Sequence, residues 1–260
     1  AGRNPDTPGG AAMRILEGIE ENFRFMVLEV SKQVASARSV VERPEPDRIK
    51  AIESRDDYID NLKSVIENAC WGRIHGSTDR NKRTLDLVRA ANIININLER
   101  IADYAVNIVS QVQYLSDPGF IRRYNYREPF LDVDKALGLV FAALTRQDVT
   151  LALRICRAEF ALDDHFKTAF DAILADLRQG ESPENAISSF NIFRYLERMG
   201  DALLNIGEAV IFAALGEKLK IHQYQALQDS LELGAETPIP AGDFHSIWGT
   251  RSGCRIGRVQ

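Results

Sequence analysis

The chain has 260 residues, of which 45% are hydrophobic and 27% charged, with a formal net charge of -5. That length can bury one large core or two modest ones, and the negative balance argues against sequence-independent nucleic-acid binding, which needs a cationic face. No apolar run approaches the ~20 residues that cross a bilayer, no charged-then-apolar leader opens the sequence, and Cys70, Cys156 and Cys254 are scattered without metal-ligand spacing, as in a reducing cytoplasm.

In chain order, AGRNPDTPGG reads as a disordered lead-in over residues 1–11. Over residues 11–40 the apolar Leu16, Ile19, Phe23, Met26, Val30 and Val34 recur at three and four, which marks an amphipathic helix. RPEPD breaks it, because proline inside a helix loses a hydrogen bond. Asp47 is the expected N-cap of a second helix through Ile52, Ile59, Leu62 and Ile66 to Trp71. Gly72 and Gly76 bracket a turn, and Ser77, Thr78 or Asp79 caps a third helix that stops near Leu115, at SDPG.

The stretch FIRRYNYREPF is aromatic and basic with no helical period, so residues 118–131 read as a linker. Helical patterns resume near Asp132, break at TRQD, and run on over residues 149–177 to Gly180. Ser182-Pro183 then supplies a capping hydroxyl followed by proline in the first turn. The last helix reaches about Leu215, where Gly216 closes it. The expected fold is all-α: two tandem antiparallel three-helix bundles over residues 12–117 and 132–216. Residues 217–260 read as a tail. Within it, KIHQYQALQDSLEL suits a short helix and GAETPIPAGD a linker, while FHSIW and CRIGRV suit two short strands opening a further domain near residue 244. The terminal IWGTRSGCRIGRVQ reads as cut from a longer protein.

The two bundles share a signature. LERIADYAVNI begins at Leu98 and LERMGDALLNI at Leu196. Residues four apart share a helix face, so Glu99, Asp103 and Asn107 form one polar line and Glu197, Asp201 and Asn205 another, with Glu208 extending the second. Carboxylates at this spacing weaken a helix by a few tenths of a kcal/mol, and a hard cation bound by oxygen ligands is one way to offset that. Neighbouring arginines are another. The middle helix of the first bundle repeats the spacing in RDDYIDNL, with Asp56 and Asp60. Antiparallel packing would bring that pair against Glu99 and Asp103. In the second bundle AEFALDDHF offers Glu159 with Asp163, or with Asp164 if the two middle helices align without a gap. Roughly five acid pairs at this spacing arise by chance on solvated faces of such a chain. A duplicated solvated surface therefore competes with metal binding as the explanation.

Other chemistries fail on detail. None of His75, His165, His222 and His245 completes the Glu-x-x-His of a di-iron bundle, and H-E-x-x-H, C-x-x-C and the nucleophile elbow are all missing from the sequence. GTRSGCRIG matches neither the dinucleotide nor the phosphate-loop pattern.

D-x-x-I-D-x-L on one middle helix, with L-E-R-[IM]-[AG]-D-x-x-x-N-I on both final helices, resembles the PhoU domain family over residues 12–216. The resemblance implies a cytoplasmic, non-catalytic regulator of phosphate uptake, peripheral to the membrane. Its implied partners are phosphate transporter components or a sensor kinase at the inner membrane face, and a homo-oligomer fits equally. It also implies metal sites for iron, zinc, manganese or magnesium built from E/D-x-x-x-D pairs: Asp56 with Asp60, Glu99 with Asp103, Glu159 with Asp163, and Glu197 with Asp201. AEFALDDHF departs most from the pattern, which points to a weaker second site. The alternative function is a sensor or scaffold module preceding a catalytic domain that begins near residue 244.

Overall fold

The computed structural model describes Leu16, residues 18–76, residues 81–218 and Ile221. Six helices account for most of it: α1 (Glu20–Glu42), α2 (Pro46–Gly76), α3 (Lys82–Val112), α4 (Arg127–Arg146), α5 (Val149–Arg178) and α6 (Pro183–Leu215). No strand occurs among the described residues. The tail read as strands, and the lead-in before Leu16, lie outside them.

Local chemistry marks several of the helix ends. Asn81 accepts the Arg83 backbone N–H at the start of α3, Asp148 accepts that of Leu151 at the start of α5, and Ser182 caps α6 ahead of Pro183. Gly216 ends α6 in the left-handed region at φ +73°, a conformation that costs glycine little. The Ser77, Thr78 and Asp79 caps considered above fall on residues outside the description. Asp47 sits inside the first turn of α2 instead of capping it, where its charge still suits the helix dipole.

The linker reading of residues 118–131 needs correction. A 3-10 turn occupies Phe120–Arg123 and α4 starts at Arg127, not near Asp132. Phe120, Tyr126 and Phe130 are buried, so core burial fixes this segment where periodicity is silent. Pro129 is tolerated because the first turn needs no N–H from it.

The two halves meet along α3 and α6, which carry the broadest buried faces. α3 packs against α1, α2 and α6; α6 packs against α3, α4 and α5. Contacts between α3 and α6 pair a rising with a falling number. Arg89 lies over Phe212, Asn97 bonds Asn205, Tyr104 stacks on Tyr195, and Gln111 bonds Asn191. The helices are therefore antiparallel, and the two L-E-R signatures face each other near the middle of the interface. At the break between α4 and α5, Gln147 adopts φ +51°, uncommon for a non-glycine residue. Its side chain accepts from Arg83 of α3 and donates to the Ala213 carbonyl of α6, at 2.9 and 3.1 Å. These bonds pin the turn to both central helices.

Candidate metal centre on the first bundle

The middle and last helices of the first bundle run side by side, and their acids converge. One carboxylate oxygen from each of Asp60, Glu99 and Asp103 lies within 4.8 Å of the other two. Asp60 is exposed; Glu99 and Asp103 are half-buried. Asp56 stands one turn before Asp60, half-buried, and its Oδ1 is 3.5 Å from the Gln33 amide nitrogen of α1. Gln33 is fully buried and also donates to the Ile52 carbonyl at 3.1 Å.

Crowding changes how these groups hold protons. Burial, then the charges of Glu99, Asp56 and Asp60, pushes Asp103 up to about 6, against an opposing pull from Lys63. Asp56 is raised by burial and by Asp60, Asp57 and Glu99, with the Gln33 amide acting the other way. Lys63 donates to Glu99 Oε1. Burial lowers the affinity of its amine for a proton, but the bond to Glu99 and the charges of Glu99, Asp60 and Asp103 outweigh burial and raise it.

The donor set fits a hard cation. Oxygen ligands about 2.0–2.6 Å from one ion lie within roughly 5 Å of each other, and three carboxylates meet that condition here. An all-oxygen set suits magnesium, manganese or iron better than a thiolate-loving ion. Lys63 is the group that sequence reading missed. It lies three residues after Asp60 and seven after Asp56, on the same face of α2, so the signal was present. Gln33 also left a trace, as a polar residue inside the Val30–Val34 apolar spacing of α1.

The second bundle arranges its acids differently. Among the described residues, Glu159, Asp163, Glu197 and Asp201 form no three-carboxylate group like the first. Asp163 is paired with Lys167 one turn along α5, Glu197 with Arg194 at 3.0 Å, and Asp201 is exposed. Asp164, the alternative position, is exposed too. Burial and the neighbouring Asp201 raise Glu197, Arg194 and Arg198 oppose this, and Asp163 adds to it. The Glu197 Oε2 atom is buried without a hydrogen bond. His165 lies 3.3 Å from Asp132 of α4 and joins none of these acids.

The pattern of paired helices, duplicated about an antiparallel interface, matches a known family. The family model described as "PhoU domain" matches residues 23–112 and 130–210. The chain belongs to the PhoU domain family. It is 27% identical over 210 residues to a Thermotoga maritima phosphate-specific transport system accessory protein PhoU homolog, covering 80% of this chain and 90% of the relative. A Borreliella burgdorferi homolog is 30% identical over 181 residues, covering 66% and 80%. The crystal structure of PhoU from Pseudomonas aeruginosa superposes with a TM-score of 0.70 at 25% identity, covering 78% of this chain and 99% of that one. PhoU from Streptococcus pneumoniae, at 19% identity and a TM-score of 0.71, shares the fold. Among the described residues no helix is long and apolar enough to cross a membrane.

Proposed function

We propose that this PhoU-family chain is a non-catalytic, cytoplasmic accessory of phosphate-specific transport, acting by contact with transporter components or a sensor kinase at the membrane face. The acids of α2 and α3 are its metal site. The match to accessory proteins over most of both chains supports the role. The convergence of Asp60, Glu99 and Asp103 supports the metal site. A bound cation would bridge α2 to α3, offset carboxylate repulsion and offer a positive point to an oxyanion or to a partner's acid. Asp60, Glu99 and Asp103 are the ligands, with Asp56 beside them, and Lys63 holds part of that charge otherwise. Glu159, Asp163, Glu197 and Asp201 form the secondary site, weakened by Lys167 and Arg194.

The test is complementation. In a bacterium deleted for its own PhoU-type accessory protein, expressing this chain should restore restraint of radiolabelled phosphate uptake under phosphate excess. The Asp60→Asn/Asp103→Asn variant should restore less. Uptake that ignores the chain's expression would overturn the role; full restoration by the variant would separate the role from the metal site.

A further inference from the structure

A second candidate site lies at the contact of α3 with α6, on the flank of α3 next to the acids. A cavity of about 300 Å³ opens between α3 and α6, at the small end of the range for ligand pockets. Its charged lining is Arg89, Arg100, Lys218 and Glu208. Among the described residues none of the three cations makes an ion pair, and Glu208 Oε1 instead accepts the Ile221 backbone N–H at 3.0 Å. The described lining thus sets three cations against one carboxylate, and a bound anion would offset that excess of positive charge. Three positive charges against one negative suit a dianion, such as a phosphate monoester above its second ionisation near pH ~6. Guanidinium forks match phosphate oxygens in pairs.

The remaining walls are of two kinds. Ile93, Ala209 and Phe212 are apolar, and Arg89 lies over the Phe212 ring at 5.1 Å. Asn97 and Asn205 supply amides, joined to each other at 3.3 Å. The site is thus built for a charged head on a body of one ring or a few carbons.

The duplication provides an internal comparison. Aligning the L-E-R triplets puts Ile187 in the place of Arg89 and Tyr114 in that of Phe212. At that end Asn191 bonds Gln111 at 3.0 Å and Tyr195 stacks on Tyr104. Polar and aromatic contacts fill the equivalent space, and although Arg198 repeats Arg100 there, the arginine over a ring, Arg89 on Phe212, is particular to this end.

We propose that the cavity between α3 and α6 binds a small phosphate monoester with an apolar or aromatic body, its phosphate held by Arg89, Arg100 and Lys218 and its body against Ile93, Ala209 and Phe212. Calorimetric titration of the full chain with phenyl phosphate tests it, with inorganic phosphate and phenol as head-only and body-only arms. Phenyl phosphate should saturate one site about tenfold more tightly than inorganic phosphate, with phenol undetected. Arg100→Gln/Lys218→Gln should weaken it by at least about tenfold. Arg154→Gln, a charge loss on the exposed face of α5, should leave it unchanged. Arg100 and Lys218 are both exposed, so circular dichroism should show the double variant folded. Absence of saturable binding, or equal weakening by Arg154→Gln, overturns the site. Equal affinity for inorganic phosphate overturns the part given to the apolar wall.

Discussion

At the scale of single residues, the acid cluster makes a signed prediction. Asp103 is held at about 6 by burial and by its acidic neighbours, against an ordinary value of 3.8. The folded, metal-free protein therefore binds more protons than the unfolded chain between those values. Its stability should fall as pH rises through 6 and recover on acidification towards 4. Thermal melts of chelator-treated protein across that range should show the trend, and Asp103→Asn should flatten it. A melting temperature that instead climbs with pH between 5 and 7 in the wild type alone would contradict the crowding described here. Metal ligands must be deprotonated, so affinity for manganese should weaken below about pH 6. The buried cysteines give a simpler test. Burial, followed by the charge of Glu67, raises the Cys70 thiol to about 11, and Cys156 is raised further by its deeper burial. Both should resist iodoacetamide in the native protein at pH 8 and react on denaturation, as read by peptide mass mapping.

At the scale of elements, caps and breakers were legible where side chains speak locally. Ser182-Pro183, the TRQD break and Gly216 all stand where the sequence put them. The start of α4 was not legible, because Tyr126 and Phe130 are fixed by burial against distant residues and carry no period of their own. Packing between helices was equally silent. A Cβ at Gly207 would lie 2.8 Å from the Ala152 carbonyl oxygen and in collision with Cys156 Sγ, so α5 and α6 approach closely there. The first half carries Val109 at the equivalent position. Gly207→Ala should cost about 1–3 kcal/mol through overpacking, measured by urea denaturation; an unchanged midpoint would mean that α5 and α6 lie further apart than described. The acid pairs of the first bundle could be read from spacing, and so could their meeting across antiparallel helices. That Lys63 enters the same cluster, while Lys167 and Arg194 answer the second set, depends on which rotamers the packing allows.

At the scale of the whole molecule, the repeated L-E-R line has a physical account. Its leucines lie in the core and its acids point away from the α3–α6 contact. In the first half those acids meet a second pair; in the second half Glu197 meets Arg194 and Asp201 faces solvent. One duplicated frame thus carries two unequal surfaces, with a cationic cavity at one end of its central interface. The central claim is that the first bundle's acids hold a metal ion. The most direct test is elemental analysis after manganese or iron loading and dialysis, on protein purified without a metal-affinity step. Wild type and Asp163→Asn/Asp201→Asn should each retain about one ion or more per chain, and Asp60→Asn/Asp103→Asn should retain far less. Equal metal in all three, or none in any, would contradict the account.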